Sequence, residues 1–452
     1  MSLDATSFRW FPSGCRQRAP HTIARVKRDP EVEEKDDRSG VPLLKRLGPG
    51  LITGAADDDP SGIATYSQAG AQFGYGLLWS VVFTTPLMIG IQIVSARIGR
   101  VTGHGLAANI RDHFPRPLLY LIVFLLLVAN TFNIAADLGV MGDALVLLAG
   151  GQSSIYIVFF ALVSLTLQIF IPFPRYAPIL KWLTLALFAY VGTVLVAPFP
   201  GTALRETLIP QIAWRPDYVG MLVAVLGTTI SPYLFFWQAS QEVEEQRATP
   251  GHEPLRAAPE QARAHLARIK FDTYLGMLFS NLIAFCIMLT TAATLHASGV
   301  TDIQDAAQAA QALRPLAGDF AFSLFTAGII GTGLLAVPVL AGSAAYAVAE
   351  TFRWPIGLGL PLAEARGFYA ILTVATLLGV AIDLSGIDSM KALLWAATLN
   401  GVVSVPIMAV MMLLAAKPAV MGPFVVTGRL RALGWFAVAV IAAAVAAMFA
   451  LL

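Results

Sequence analysis

The sequence predicts an all-α, polytopic membrane protein with eleven transmembrane helices. Three observations carry that expectation. Of 452 residues, 57% are hydrophobic and only 13% charged, about half the charged share of an ordinary soluble domain. The mean hydropathy is +0.70, so the chain cannot hide its nonpolar surface in one soluble core, and the bilayer is its natural solvent. Lys and Arg then alternate between successive connections as they should if those connections alternate between two sides of a membrane.

A spanning helix needs roughly 20 apolar residues. Such stretches lie at about 46–72, 76–100, 117–148, 153–172, 177–198, 218–240, 270–295, 320–350, 367–384, 389–415 and 430–452. With the N-terminus inside, 26 of the 30 Lys and Arg fall in inner segments; only Arg205, Arg215, Arg314 and Lys391 fall outside. One missed span would invert every later connection and destroy this split. The expectation is therefore a multi-pass protein of the plasma (inner) membrane, N-terminus cytoplasmic and C-terminus outside.

Residues 1–42 are polar and mixed in charge, with no apolar run. They read as a disordered cytoplasmic tail rather than a signal or transit peptide, leaving 43–452 as the transmembrane domain. Two cysteines, Cys15 and Cys286, exclude a disulfide framework and a metal–thiolate cluster. None of the six histidines sits mid-span, which argues against a haem or zinc enzyme, and no nucleophile–base constellation appears. A net charge of +2 gives no reason to expect nucleic acid. No cofactor is expected. In the long connection 241–268, Ala262, Leu266 and Ile269 recur at helical spacing; the segment reads either as a short interfacial helix or as a solvated linker. The connection 296–319 carries Asp302, Asp305 and Asp319 against one arginine, a weak attraction for cations.

The first span contains Asp57, Asp58 and Asp59 near its middle. Each charge at bilayer depth costs at least about 2.5–3.5 kcal/mol, so three adjacent carboxylates need a bound cation, water or protons. Pro60 then removes a backbone donor and Ser61-Gly62 loosens the chain; such a break is tolerated only where it lines a cavity. The plainer reading is that Asp59 N-caps the half-helix after Pro60. The sixth span is interrupted by Gly227 and Ser231-Pro232. A proline kink alone says little, but two breaks five spans apart suggest two repeats of five helices, the best sequence pointer to a transporter site. In the third span Asn130, Asn133 and Asp137 share one face, either as a candidate ion or proton path or as interhelical hydrogen-bonding groups. Glu350 closes the eighth span as a gate contact or a surface acid, and Ala341-Gly342-Ser343-Ala344-Ala345 suits close helix packing.

From about 45 to 415 the chain resembles the Nramp family of divalent-metal transporters. The resemblance rests on Gly48-Pro49-Gly50, the Asp59-Pro60 break, Gly227–Tyr233 (GTTISPY), Ala136-Asp137-Leu138 and Ala349-Glu350, in that family's order and spacing. It implies a LeuT-like 5+5 inverted repeat (46–198 and 218–415) plus an extra helix at 430–452, alternating access, and import of a divalent metal that is cargo rather than cofactor. Its metal-binding residues map to Asp59, Gly62, Thr228 (through its carbonyl) and Ser231, with Asp58 as a neighbouring acid; Asp137 and Tyr233 map to family positions of a possible ion or proton path, which Asn133 joins from the polar stripe.

The departures carry as much information. The family's Asp-Pro-Gly-Asn is here Asp59-Pro60-Ser61-Gly62, its Met-Pro-His is Ser231-Pro232-Tyr233, and the glutamate three residues beyond Asp137 is Val140. Losing a thioether ligand removes the preference for softer transition metals. Hydroxyls, carbonyls and carboxylates suit Mg²⁺, which dehydrates reluctantly, and Asp57 and Asp58 could hold its waters. The pattern resembles the Nramp-related magnesium-transporting branch. Expected cargo is Mg²⁺ and/or Mn²⁺, with weak or absent proton coupling. The alternatives are a proton-coupled Mn²⁺/Fe²⁺ importer, an organic-substrate transporter of the same fold, for instance for amino acids, and a membrane-bound sensor that binds metal without moving it.

Overall fold

Helix ends in this chain fall where backbone donors run out, and prolines do most of that work. The computed structural model describes residues 49–171, 175, 185–196 and 209–451, apart from the side chains at 51 and 52. The expected tail 1–42, Gly48, Cys15 and, within the expected span 177–198, residues 177–184 and 197–198 lie outside the described residues. Regular structure among those described is helical throughout: α1 (Pro49–Asp57), α2 (Pro60–Phe73), α3 (Leu78–Thr102), α4 (Leu106–His113), α5 (Arg116–Ala149), α6 (Ser153–Phe170), α7 (Phe188–Val196), α8 (Pro216–Thr229), α9 (Pro232–Ala248), α10 (Ala262–Thr294), α11 (Ala321–Phe352), α12 (Arg366–Asp383), α13 (Ser389–Ala415) and α14 (Gly428–Leu451).

Nine helical stretches among the described residues are long and apolar enough to cross a bilayer. The difference from the expected eleven has two sources. The first expected span is split, α1 being only nine residues long, and its second half runs through a tight turn at Gly74–Leu77 into α3 as one stretch, Pro60–Thr102. Of the expected 177–198, only Phe188–Val196 and the turn Leu185–Leu187 before it are described. The segment Ala262–Ile269 is neither a separate interfacial helix nor a linker. It forms the first two turns of α10, because no Gly or Pro interrupts the helical pattern before the span itself.

The packing brings both interrupted helices to the centre. α5 packs on α11, α12 and α13; α10 packs on α1, α2 and α3; α8 packs on α13, and α9 on α3 and α11. Two glycine contacts allow the closest approaches. A Cβ on Gly54 of α1 would stand 2.3 Å from the Gly276 carbonyl oxygen of α10, and one on Gly227 of α8 would stand 2.2 Å from the Ala397 carbonyl oxygen of α13. Small residues at such contacts suit bilayer packing, where van der Waals fit replaces a hydrophobic driving force. The expected small-residue run of α11 behaves this way too: a Cβ on Gly342 would meet the Trp237 ring at 2.9 Å.

Segments assigned to one side by charge meet at one end of the molecule. Lys417 Nζ donates to the His113 carbonyl (3.1 Å), Arg256 Nη1 to the Val420 carbonyl (3.0 Å), and the Leu255 and Arg256 amides to the carbonyls of Arg100 and Val101. At the opposite end, Gln68 of α2 bonds the Thr301 carbonyl and the Ile303 amide, pinning the 296–319 connection over α2. Of that connection's acids, Asp305 caps a short helix, Ala306–Gln311, and Asp302 accepts from Gln68.

Candidate functional site

The first break is built as its residues require. α1 stops at Asp57, Asp59 is extended (φ −69°, ψ 167°), and Pro60 opens α2, where a missing N–H does no harm. Asp59 Oδ1 accepts from the Gly62 amide at 2.6 Å, so the N-capping role anticipated as the plainer reading is present. Its other oxygen, Oδ2, faces elsewhere: the Tyr233 hydroxyl lies 3.1 Å from it and 3.1 Å from the Ala56 carbonyl. Asp59 is thus tied to both broken helices.

In the second break α8 ends at Thr229, Ser231 is extended (φ −79°, ψ 128°), and Pro232 opens α9. Ser231 Oγ donates back to the last turn of α8, 2.9 Å from the Thr228 carbonyl and 3.0 Å from that of Gly227. Thr229 is joined to α2 through Tyr66 (3.0 Å). The two breaks also face each other at Gly62, where a Cβ would lie 3.4 Å from each of the Asp57 carbonyl oxygen, Asp59 Oδ1 and the Thr228 hydroxyl oxygen. Asp59, Gly62, Thr228, Ser231 and Tyr233 are brought together, all of them buried.

Asp57 and Asp58 turn differently. Both accept from the Ser280 hydroxyl of α10, at 2.5 Å and 3.1 Å. Asp58, expected beside the metal, is therefore held by a helix outside the two breaks. Among the described residues no three His, Cys, Asp or Glu side chains stand together in metal-holding geometry. A cation between the breaks would meet one carboxylate, hydroxyls and main-chain carbonyls, all hard oxygen donors.

The third-span stripe is divided among three neighbours. Asn130 donates to the Leu340 carbonyl and Ser343 of α11 (2.8 and 2.7 Å), and Asn133 exchanges amide hydrogen bonds with Asn400 of α13 (3.0 and 3.2 Å). These two residues serve as interhelical hydrogen-bonding groups. Asp137 faces α2, close enough to feel the charge of Asp59 and the Ser61 amide. Neither of its oxygens reaches hydrogen-bonding geometry with a donor, and nor do the nearby buried hydroxyls of Ser61 and Thr65. Glu350 is buried, not a surface acid: its carboxylate accepts from the Ala108 amide at 3.0 Å and caps α4 from outside.

Four buried carboxylates, Asp57, Asp58, Asp59 and Asp137, therefore surround the first break, and no described Lys, Arg or His forms an ion pair with any of them. Ser280, Tyr66, Thr229 and Asn400 complete this region. Thr229 lies within the Gly227–Tyr233 motif; the other three were not legible in the sequence, because a lone hydroxyl or amide in an apolar helix has no distinguishing signal.

Comparison with known proteins agrees with this architecture. The family described as natural resistance-associated macrophage protein-like (Nramp) matches residues 50–451. Two relatives from Klebsiella pneumoniae strains, each called divalent metal cation transporter MntH, are 28% identical over 423 residues, covering 91% of this chain and 95% of theirs. The fold is shared with a manganese transporter of Eremococcus coleocola (TM-score 0.70, 18% identity, 89% and 85% of the two chains). It is shared more distantly with a nucleobase-cation-symport-1 family transporter of LeuT-like architecture (TM-score 0.53, 13% identity, 90% and 92%). Nramp and MntH proteins are transporters, not enzymes. Matched along nearly the whole of its membrane domain, this chain belongs to the Nramp family and is an integral multi-pass membrane transporter.

Proposed function

We propose that the chain imports a divalent metal cation, Mg²⁺ and/or Mn²⁺, by alternating access through the site between the two breaks. The observation that carries this reading is the convergence of Asp59 with Gly62, Thr228 and Tyr233: a buried carboxylate shared by two interrupted helices and without a basic partner among the described residues. An organic anion would be repelled by Asp57, Asp58 and Asp59, and the names of the relatives favour metal. The proposed architecture has eleven spans, two inverted repeats of five plus the last helix, with the N-terminus in the cytoplasm and the C-terminus outside the plasma membrane. The charge split and the gathering of those segments at one end support it.

The donor set favours the harder cation. Serine stands where a thioether would select softer metals, and with Gly62 in place of an amide no Cβ stands between Asp59 Oδ1 and the Thr228 hydroxyl. Hard oxygen donors of this kind suit Mg²⁺. With tyrosine at 233 and valine at 140 in place of a histidine and a glutamate, neither position exchanges a proton readily near neutral pH, and we propose that protons are not obligatorily coupled. The membrane potential then supplies about 2.3 kcal/mol per charge per 100 mV, roughly twice that for a divalent ion. A proton-coupled manganese importer is the second reading, and of its parts the Eremococcus neighbour's name favours manganese.

Competitive uptake of Mg²⁺, Mn²⁺ and Ca²⁺ into proteoliposomes, with interior pH recorded, tests both. Mg²⁺ influx without acidification is expected. Acidification that tracks Mn²⁺ influx while Mg²⁺ stays out would establish the second reading. Ser231→Met should raise the Mn²⁺-to-Mg²⁺ ratio, and an unchanged ratio would refute this account of selectivity.

A further inference from the structure

At the end of the molecule where Lys417 and Glu350 gather, a cavity of about 440 Å³ opens between the end of α4, the start of α5 and the end of α11. Arg111, Arg116 and Arg353 line it, with Leu119, Tyr120 and Phe352. The transport site does not use it.

Its charge is unbalanced. Asp112 is the acid bonded to this group: Arg111 Nε and Nη2 donate to its two oxygens at 2.9 and 3.1 Å, and Arg353 Nη2 lies 3.7 Å away. The Arg111 hydrogen bond holds the Asp112 carboxyl below the usual carboxylate range, so it stays ionised and cancels one charge. Arg116 forms no ion pair with a described residue and is exposed. Counting the Glu350 carboxylate, which is close enough to feel the charge of Arg111, three guanidiniums against two carboxylates still leave a positive surplus.

Two features indicate what this surplus is for. Arg353 ends α11 at φ 59°, the one described non-glycine residue with positive φ. That conformation is disfavoured for a residue with a Cβ, and it persists where the surroundings impose it. It leaves the Arg353 side chain 75% exposed at the cavity. The other wall is apolar and open: Tyr120 and Phe352 are about half exposed, and Leu121 and Phe124 continue that exposed strip along α5. Aromatic residues at helix ends mark the level of lipid headgroups. A fork of guanidiniums above an outward apolar strip is complementary to a phosphodiester attached to acyl chains.

We propose that this cavity binds the phosphate of an anionic phospholipid, its acyl chains lying along Tyr120, Leu121 and Phe124. A soluble phosphate would satisfy the arginines equally but would make no use of the apolar strip. The site is joined to α11, which packs on α9, because Arg111 Nη1 also donates to the Glu350 carbonyl, and the Glu350 carboxylate caps α4. A link to transport through α9 rests on the transport reading above; the binding site does not.

The test uses purified full-length protein without metal, delipidated and titrated with phosphatidylglycerol or phosphatidylcholine, with bound lipid counted by native mass spectrometry. The wild type should retain phosphatidylglycerol in preference to phosphatidylcholine. The double variant Arg116→Gln/Arg353→Gln should bind it about tenfold or more weakly, and the corresponding Lys variants should recover part of the loss. If the double variant does not fold, Arg116→Gln alone reports the same loss in smaller measure. Equal phosphatidylglycerol binding by wild type and variant would overturn the site. Displacement of the lipid by an equal concentration of glycerol 3-phosphate would overturn the lipid assignment in favour of a soluble phosphate. Because binding is read without metal, a chain found to carry some other substrate would leave these outcomes unaffected.

Discussion

The two helix breaks have the same backbone form and opposite chemistry. Each is an extended residue followed by proline at the first position of a new helix, Asp59-Pro60 and Ser231-Pro232. The first break carries three acids and no described basic partner; the second carries only hydroxyls and carbonyls. Their docking differs as well. At the first break the half-helix before the proline, α1, lies on α10 through Gly54 and Gly276 and through Asp57, Asp58 and Ser280. At the second, α8 lies on α13 through Gly227 and Gly401 with no charge at the contact. On the proposed reading the difference divides the tasks: the first break would supply the charge that attracts a cation, the second the dipoles that shape the site around it.

The sharpest way to break that division is Asp59→Asn, which keeps the shape and cap while removing the charge. Uptake should fall by about 100-fold or more, in line with removing one partner of a buried pair, at unchanged expression and elution profile. Near-normal flux would rule out Asp59 as the principal ligand. Gly62→Ala comes next. The new methyl would sit 3.4 Å from three oxygens, ordinary contact that leaves folding intact, but it fills the space between the breaks. Apparent affinity should weaken by about tenfold, on the scale of one lost hydrogen bond to a charged group; unaltered affinity would place the cation elsewhere.

Tyr233→Phe addresses the join itself, removing the hydroxyl between Asp59 Oδ2 and the Ala56 carbonyl. A loss of about fivefold in transport efficiency is expected from one hydrogen bond of this kind, and none at all would mean that the breaks are coupled by packing alone. The smallest effect should come from the Asn133–Asn400 pair. A double-mutant cycle with alanine, read by thermal unfolding in detergent, should give a coupling of about 0.6 kcal/mol, typical of interhelical hydrogen bonds in bilayers. A loss of transport at unchanged stability would restore Asn133 to an ion path.

How much was visible beforehand follows from how far each signal reaches along the chain. Helix ends such as Arg116–Ala149 and Ser389–Ala415 match the expected spans to within about a residue, because apolar length and prolines are local. The start of α10 was missed by eight residues because its first turns are charged, so hydropathy ended before the helix did. At the site, Asp59 and Tyr233 were legible as motif residues. Ser280, which holds Asp57 and Asp58, was not, since its partners stand more than 200 residues away in sequence.

By itself the sequence determined that this chain lives in a bilayer, where its helices break, and which oxygen-bearing side chains stand at those breaks. These depend on transfer energies and on missing N–H groups, which each residue carries with it. Only the tertiary structure decided which helix each of three adjacent aspartates faces, that Asn133 pairs with Asn400, and that Arg111, Arg116 and Arg353 share one cavity. Such partners are set by packing between helices distant in sequence, and neither composition nor periodicity records them.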